Sequence, residues 1–427
     1  MFSLNRLMAG TAFAAILAFA GAQPASAQEA CDINGVPQAS SAAPGSLQCG
    51  NTAVASGTSS TAVGVDANAT DTQATAIGND ANATDEDATA VGYEANSTGF
   101  HSTAVGALSD ATAIGSTAIG WNADATAARA TALGNSARAT AIDSTALGRA
   151  ATATAVEATA VGQQSVASGE NSTALGQNAA ATGARSTAIG SDSVASNEET
   201  TALGYEANSA GFHSTSVGAL SDATAIGSTA VGWDADATSA RSTALGNSAK
   251  AIGSDSTALG RSALASGANS VALGVGSVAT EANTVSVGTA GGERRIVNVA
   301  AGTASTDAVN VSQLSAVNAA MASETSARAA GDAALGAMLD DLSFDLRGNR
   351  REARAGTSAA LAAAALPQAM DAGRSMIAAG VGTYRGRAAF AIGGSHRLSS
   401  GSTVLEVGVT YDTTEHVGAN AGVGFQF

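Results

Sequence analysis

Side chains that could carry out chemistry are scarce in this sequence. Its 427 residues include four His and two Cys, and Lys250 is the single lysine. His101 and His213 lack neighbours at the spacing of a metal site or a catalytic triad, and the Gly-Gly-x-Gly-x-Asp motif of calcium-binding coils is missing. An enzyme needs polar groups that converge in a pocket. The sequence therefore predicts a protein that is not an enzyme and that has no metal and no cofactor.

The composition excludes further classes of protein. The chain has 19 Lys+Arg against 35 Asp+Glu, a net charge of −16. A protein that tracks the phosphates of a nucleic acid needs a basic stripe instead. Apolar residues make up 45% of the chain, which is too many for ordinary disorder. Charged residues make up 13%, against about 25% in a typical globular protein. We therefore expect no nucleic-acid partner and an unusual, ordered architecture.

The N-terminus has the pattern of a secretory signal peptide. A short basic start that includes Arg6 precedes an apolar run from Leu7 to Ala20, and Ala25-Ser26-Ala27 follows. An apolar core of 7–15 residues with such a cleavage site is typical of an exported protein, and a membrane-spanning helix needs about 20 apolar residues. We expect residues 1–27 to be a signal peptide that is cleaved after Ala27.

The two cysteines, Cys31 and Cys49, follow the signal segment. In an oxidising compartment such a pair usually forms a disulfide, and their spacing is not the C-x-x-C spacing of a redox site. The alternative is two free thiols. We expect a disulfide between Cys31 and Cys49 within an N-terminal cap of residues 28–60.

A repeat of fourteen residues fills the next part of the chain. Every fourteenth residue from Gly64 to Gly288 is glycine, and variants of Ser-Thr-Ala-(Val/Ile/Leu)-Gly precede most of these positions. Thr and Val would lie on one face of a short strand and Ala on the other, with Gly turning each coil at positive φ. No proline occurs between Pro44 and Pro367, as a hydrogen-bonded ladder requires. Residues 61–292 are predicted to form a β-roll, a solenoid about 80 Å long.

A longer repeat of 112 residues duplicates the few bulky residues of this solenoid. Residues 92–140 return as 204–252. One interpretation is an aromatic contact patch that is displayed twice; the other, which we favour, is a duplication whose aromatic rings pack at coil corners. The candidate ligand-contact residues are Tyr93, Phe100, Trp121, Tyr205, Phe212 and Trp233.

The segment after the repeats carries a recognisable motif. Arg295-Ile-Val-Asn-Val-Ala-Ala-Gly302 is followed by Asp307-Ala-Val-Asn-Val-Ser-Gln-Leu314. These elements resemble the neck of the trimeric autotransporter adhesins, the YadA-like proteins, in which a broad β-head leads into a coiled coil. The head repeat of that family is similar to Asn269-Ser-Val-Ala-Leu-Gly274, although most coils here carry Thr in place of the first Val. We expect a neck at 293–313 and a short coiled-coil stalk at 314–350 with a weak apolar seam.

Residues 351–427 are predicted to be a membrane anchor. Four segments of about ten residues alternate between apolar and small or polar side chains, as in a transmembrane β-barrel. Four strands cannot close a barrel, so several chains must share one, and three chains would give twelve strands. A helix of small residues, 355–366, would pass through the pore, and Gly380, Gly382 and Gly386 would keep the pore wall clear. The family's anchor also resembles this segment, including the terminal aromatic residue, Phe427, as the barrel signal.

The fold expected for the chain is mainly β: a β-roll head, a short stalk and one third of a trimeric barrel. The resemblance implies a homotrimer in the outer membrane of a Gram-negative cell, inserted with the help of the barrel-assembly machinery. It implies that the anchor mediates export and that the head attaches to extracellular matrix, cells or other surfaces. The alternatives are a structural surface-layer rod and an ice-binding solenoid, neither of which explains an anchor.

Overall fold

The computed structural model describes residues 32–33, 36–37 and 43–427. The predicted signal peptide and Cys31 lie outside the described residues, so the cleavage site and the Cys31–Cys49 disulfide stay predictions. The chain divides into two compact units, of which the first ends at Arg295 and the second is Ile296–Phe427. Two short strands near the N-terminus, Asp32–Ile33 and Val36–Pro37, pair in antiparallel fashion.

The first unit is a stack of two-stranded coils that repeat every fourteen residues. In each coil a strand of three residues contributes to sheet A, and a strand of two residues contributes to sheet B. The strands of sheet A are Leu47–Cys49, Thr61–Val63, Thr75–Ile77, Thr89–Val91, Thr103–Val105, Thr117–Ile119, Thr131–Leu133, Thr145–Leu147, Thr159–Val161, Thr173–Leu175, Thr187–Ile189, Thr201–Leu203, Thr215–Val217, Thr229–Val231, Thr243–Leu245, Thr257–Leu259, Val271–Leu273 and Val285–Ser286. The strands of sheet B are Val54–Ala55, Asn68–Ala69, Asn82–Ala83, Asn96–Ser97, Asp110–Ala111, Asp124–Ala125, Arg138–Ala139, Thr152–Ala153, Val166–Ala167, Ala180–Ala181, Val194–Ala195, Asn208–Ser209, Asp222–Ala223, Asp236–Ala237, Lys250–Ala251, Leu264–Ala265 and Val278–Ala279.

Both sheets are parallel ladders in strict register. In sheet A, Thr103 pairs with Thr117 and Ala104 with Ala118. All the other neighbouring coils pair with the same offset of fourteen residues. Identical positions therefore form straight columns along the rod. The expected β-roll is confirmed, and so is the assignment of alternate residues to its inner and outer faces.

The core between the two sheets contains almost only alanine and serine. Ala104, Ala118 and Ala132 are fully buried, and Thr200 is the largest fully buried side chain among the described residues. The sheets therefore lie close enough that a longer side chain would not fit between them. Close packing of this kind holds each coil to its neighbours through many small contacts.

The repeated glycines serve close packing between coils rather than the tight turns themselves. Gly162 has φ = 130°, and a Cβ atom added to it would lie 2.3 Å from the carbonyl oxygen of Gly176 in the next coil. The left-handed turn positions of a coil are occupied mainly by other residues, such as Asp143 with φ = 57° and Ala150 with φ = 57°. The prediction of positive φ is right for the repeated glycines from Gly64 to Gly274 but not for Gly288, and a methyl group is excluded chiefly by the neighbouring backbone.

The second unit begins with the neck and contains one long helix, Val311–Ala364, of 54 residues. Asn310 caps its first turn: its side chain accepts a hydrogen bond from the Gln313 backbone N–H, and the Gln313 side chain accepts one from the Asn310 N–H. We expected a separate stalk and pore helix, and the structure joins them, since no proline interrupts the chain until Pro367. Within the described residues, no helix combines the length and the apolar character needed to cross a membrane.

Four antiparallel strands follow the helix in sequence order. They are Ser375–Tyr384, Arg387–Arg397, Thr403–Asp412 and Val417–Phe425, and each pairs with the next. The last turns of the helix pack on one face of this sheet, where Ala355, Ser358 and Ala362 are buried. The strand boundaries agree with the alternation in the sequence.

Candidate functional site

The coil stack has two opposite turn edges, and each is a column of stacked turns. The Tyr–Trp edge follows the sheet A strands and contains Tyr93, Ala107, Trp121 and Asn135 in successive coils. Its turns are joined by backbone hydrogen bonds: the N–H of Leu108 donates to the Tyr93 carbonyl at 2.8 Å, and later coils repeat this bond. The Arg–His edge precedes the sheet A strands and contains Phe100 and His101, then Arg129 and Asp143.

The structure does not bring the predicted aromatic residues into one patch. Tyr93 and Trp121 share the Tyr–Trp edge, whereas Phe100 lies on the Arg–His edge, at the other end of the strands. In the second copy of the long repeat, residues 204–252, Tyr205 and Trp233 share the Tyr–Trp edge and Phe212 lies on the Arg–His edge. The interpretation of one contact patch in each repeat, which we did not favour, therefore does not fit the structure, because Tyr93 and Phe100 are half a coil apart.

The aromatic residues of the Tyr–Trp edge are only partly covered by the rest of the chain. Tyr93 is 50% exposed and Trp121 is 53% exposed, and their counterparts in the second repeat are exposed to a similar degree. A hydrogen bond to the neighbouring Glu94 carboxylate, together with its charge, raises the pKa of Tyr93 above its ordinary value. Rings that only filled coil corners would be more deeply covered. These side chains are therefore half exposed in the single chain.

The Phe and His side chains of the opposite edge are engaged with each other. The rings of Phe100 and His101 stack with centroids 3.8 Å apart. The His101 Nε2 atom lies 3.1 Å from the Asp87 carboxylate of the preceding coil, and His213 lies 3.0 Å from Glu199 in the second repeat. Sequence reasoning missed these partners, although the offset of fourteen residues was the signal that could have found them.

Arginine–carboxylate pairs link successive coils on the same edge. The Arg129 guanidinium donates hydrogen bonds to Asp143, and Arg241 does the same to Asp255, with its Nε 2.6 Å from Oδ1. These hydrogen bonds hold the pKa values of Asp143 and Asp255 below their usual range. Both pairs are solvent-exposed, so their contribution to stability is small. They neutralise charge locally and have no convergent geometry that would suit catalysis.

A continuous apolar stripe covers the outer face of sheet A. The residue directly before each repeated glycine of these coils is aliphatic and partly exposed; Leu133, for example, is 40% exposed. Monomeric proteins rarely leave so long an apolar surface uncovered, and sequence reasoning did not identify this stripe as an interaction surface. The residues of the stripe are Val63, Ile77, Val91, Val105, Ile119, Leu133, Leu147, Val161, Leu175, Ile189, Leu203, Val217, Val231, Leu245, Leu259 and Leu273.

The predicted pore glycines occupy two different environments. Gly380 and Gly382 are buried against the helix: an added Cβ would lie 2.5 Å from the Ala362 carbonyl oxygen or 2.2 Å from that of Ser358, respectively. Gly386 instead lies in the two-residue turn between the first two strands, with φ = 80° and nothing within 4 Å of an added Cβ. The prediction for Gly386 is therefore wrong, because this residue serves the turn.

The opposite face of the four-stranded sheet is apolar and exposed. Val381, Phe390, Val407 and Tyr411 point away from the helix and are at least 44% exposed. The terminal aromatic, Phe427, is fully exposed just beyond the last strand. Among the described residues, no group of three or more His, Cys, Asp or Glu is placed to hold a metal ion.

Three family models match this chain in succession. The model described as a YadA head domain repeat matches nine times, the coiled stalk of trimeric autotransporter adhesin matches residues 295–337, and the YadA-like membrane anchor domain matches residues 367–427. The head matches cover residues 55–81, 72–95, 97–123, 125–151, 153–179, 181–207, 209–235, 237–263 and 265–290.

The chain belongs to the YadA-like trimeric autotransporter adhesins.

Similarity to individual proteins covers smaller parts. A stretch of 75 residues is 44% identical to the autotransporter adhesin NhhA of Neisseria meningitidis serogroup B, and covers 18% of this chain and 13% of that protein. The crystal structure of the collagen-binding domain of the Yersinia adhesin YadA aligns with 64% of this chain and 97% of its own, at 20% identity and a TM-score of 0.19. The proteins of this family are trimeric autotransporter adhesins, and membership suggests a protein that is not an enzyme.

Proposed function

We propose that this protein attaches its cell to host matrix, to other cells or to surfaces through the coil stack. The observation that carries this proposal is the pair of exposed rings, Tyr93 and Trp121, on the edge of a rod that is otherwise built from small residues. The second repeat presents Tyr205 and Trp233 about 38 Å away, eight coils further along. In a homotrimer each set is present three times, and such multivalent display raises avidity without new contacts.

The proposed organisation follows the chain from export signal to anchor. An N-terminal signal peptide directs export, and a disulfide-bonded cap precedes the head. The neck and the stalk then connect the head to the anchor. The proposed boundaries are 1–27 for the signal peptide, 28–60 for the cap, 61–292 for the head, 293–313 for the neck, 314–350 for the stalk and 351–427 for the anchor.

The proposed anchor is a barrel of twelve strands from three chains. The first and fourth strands have free edges in one chain, and backbone groups unpaired in lipid would cost several kcal/mol each. The glycines that face the helix, Gly380 and Gly382, leave room for three helices in the pore, through which the passenger is exported. Phe427 would present the strand end to the barrel-assembly machinery. We also propose that the apolar stripes of sheet A are covered by the other two copies.

Attachment of cells that display the full chain tests this function. The chain is expressed in a Gram-negative host without adhesins of its own, and protease accessibility of the head on intact cells verifies display. We expect more cells than with an empty vector to attach to host-cell monolayers, matrix-coated wells or glass. A displayed trimer that leaves attachment unchanged on all three would support the structural-rod alternative instead.

A further inference from the structure

Two arginines of the coil stack differ from its other cations. Residues 51–292 contain seven basic residues, and five of them form ion pairs with a carboxylate on an adjacent coil. Arg149 and Arg261 are exposed and have no ion pair or side-chain hydrogen bond within the part of the chain that the structure describes. The five ion-paired residues are Arg129, Arg138, Arg185, Arg241 and Lys250.

Both unpaired arginines lie on the Tyr–Trp edge. Along this edge the Ser136 N–H donates to the Trp121 carbonyl at 2.8 Å and the Ala150 N–H donates to the Asn135 carbonyl at 2.8 Å, so Arg149 is two coils beyond Trp121. Tyr, Trp and Arg therefore occupy every second coil, at intervals of about 10 Å. The same order recurs 112 residues later, with Tyr205, Trp233 and Arg261 at the same intervals, although Asp234 there replaces the amide of Asn122.

The surroundings of Arg149 are neutral, although the rod as a whole is acidic. Residues 51–292 contain 21 acidic residues against 7 basic ones. None of the acidic residues occupies the Tyr–Trp edge over the six coils from Ala107 to Gln177. The polar residues found there are mainly amides, including Asn122, Asn135 and Gln163. This part of the edge therefore attracts an anion, while the rest of the rod repels one.

The combination of exposed rings, amides and one free guanidinium fits a specific chemistry. The negative face of an aromatic ring attracts the C–H groups on one face of a sugar ring, and amide side chains both donate to and accept from hydroxyl groups. A guanidinium binds a carboxylate through two parallel hydrogen bonds. We propose that the Tyr–Trp edge binds an acidic oligosaccharide, with sugar rings on Tyr93 and Trp121 and a sugar carboxylate on Arg149, and that Tyr205, Trp233 and Arg261 form a second site of the same kind. This proposal rests on the adhesive function proposed above and names its ligand class.

Binding of the detergent-solubilised full-length trimer to immobilised saccharides tests the proposal. The probes are 3′-sialyllactose with lactose as its neutral counterpart, and oligogalacturonate with its methyl ester. We expect at least one acidic probe to bind, and its neutral counterpart to bind at least about tenfold more weakly, because a charge-assisted hydrogen bond is lost. The double variant Arg149→Gln with Arg261→Gln should bind both members of that pair equally weakly, and Trp121→Ala with Trp233→Ala should lose binding to both.

A matched control distinguishes the loss of the proposed binding site from the loss of positive charge on the rod as a whole. Arg129→Gln with Arg241→Gln removes the same two charges, at the same 112-residue offset, from the opposite edge, and should leave binding unchanged. All of these side chains are exposed, so each variant should keep the heat-resistant trimer. Absence of binding to both acidic probes, or equal losses in the control, would overturn the proposal. If cells still attach in that case, the adhesive function stands and the ligand is of another class; if attachment is also absent, both proposals fail.

Discussion

Replacement of one repeated glycine should open the coil stack at a defined place. In Gly162→Ala the new methyl group would start 2.3 Å from the Gly176 carbonyl oxygen, and contacts of this kind below 3.0 Å are essentially never seen. The two coils must therefore separate locally by about 0.7 Å, the difference between these distances. The neighbouring hydrogen bond from the Gly176 N–H to the Val161 carbonyl is 2.8 Å long. It would lengthen to about 3.5 Å, beyond the ordinary range.

The expected cost combines two effects. A side chain at φ = 130° strains the backbone by about 1–3 kcal/mol, and forced packing typically adds about 1–3 kcal/mol. The sum is about 2–6 kcal/mol in each chain. Since each coil contacts only its neighbours, the loss is concentrated at one junction of the rod instead of being spread along it.

Thermal unfolding and limited trypsin digestion of the solubilised trimer measure this effect. We expect a lower unfolding temperature and new cleavage at Arg149 and Arg185, on either side of the junction. Gly115→Ala is the matched control, because Gly115 has φ = 64° and an added Cβ would lie 3.7 Å from a flexible arginine side chain. That variant should lose only about 1–2 kcal/mol. Equal stability and equal digestion of the two variants would refute the argument that the coils are in steric contact at this glycine.

Three further predictions concern other parts of the molecule. Gly382→Ala should destabilise the anchor by about 1–3 kcal/mol per chain and so lower the temperature at which the trimer dissociates. Gly394→Ala, whose Cβ would make an ordinary 3.9 Å contact, should leave that temperature unchanged. A series of gels with samples heated to rising temperatures compares the two variants. Burial raises the pKa of Asp124 by more than the nearby Arg138 lowers it, and its Oδ1 atom is buried with no hydrogen-bond partner among the described residues, so ionisation destabilises the fold above the raised pKa. Asp124→Asn should therefore raise the unfolding temperature at neutral pH, and this gain should fade as the pH falls through the folded pKa towards the ordinary Asp value; a gain that grows on acidification would contradict the sign. Unreduced peptide mapping should recover Cys31 and Cys49 in one linked pair of peptides, and separate alkylated peptides would show free thiols.

The period of fourteen made most of the head predictable from the sequence. A strict period in a parallel stack places each position in a column, so the inward Ala residues and the outward Thr and Leu residues follow from the alternation within Thr131–Leu133 and its equivalents. The anchor strands were predictable for a similar reason, because an apolar face and a face of small residues alternate along them. In both regions one local pattern determines a whole sheet.

Other features depend on distances that a linear pattern does not contain. The separation of Phe100 from Tyr93 follows from the direction of the chain around a coil, and a list of bulky residues does not show it. The role of Gly386 depended on whether the first strand continued past Tyr384 or turned there. The contact between His101 and Asp87 could be found only from the register of two neighbouring coils. When the sequence is aligned at intervals of fourteen residues, side chains in neighbouring coils fall next to each other and these partners can be recognised.

The anchor proposed to be shared by three chains can be tested in the membrane itself. Unboiled and boiled samples of an outer-membrane fraction are compared on a denaturing gel and probed for the C-terminal segment. We expect a band near three times the mass of one chain that collapses to the monomer only under harsh denaturation. A monomer-sized species in the soluble fraction, with no heat-sensitive band in the membrane, would contradict it.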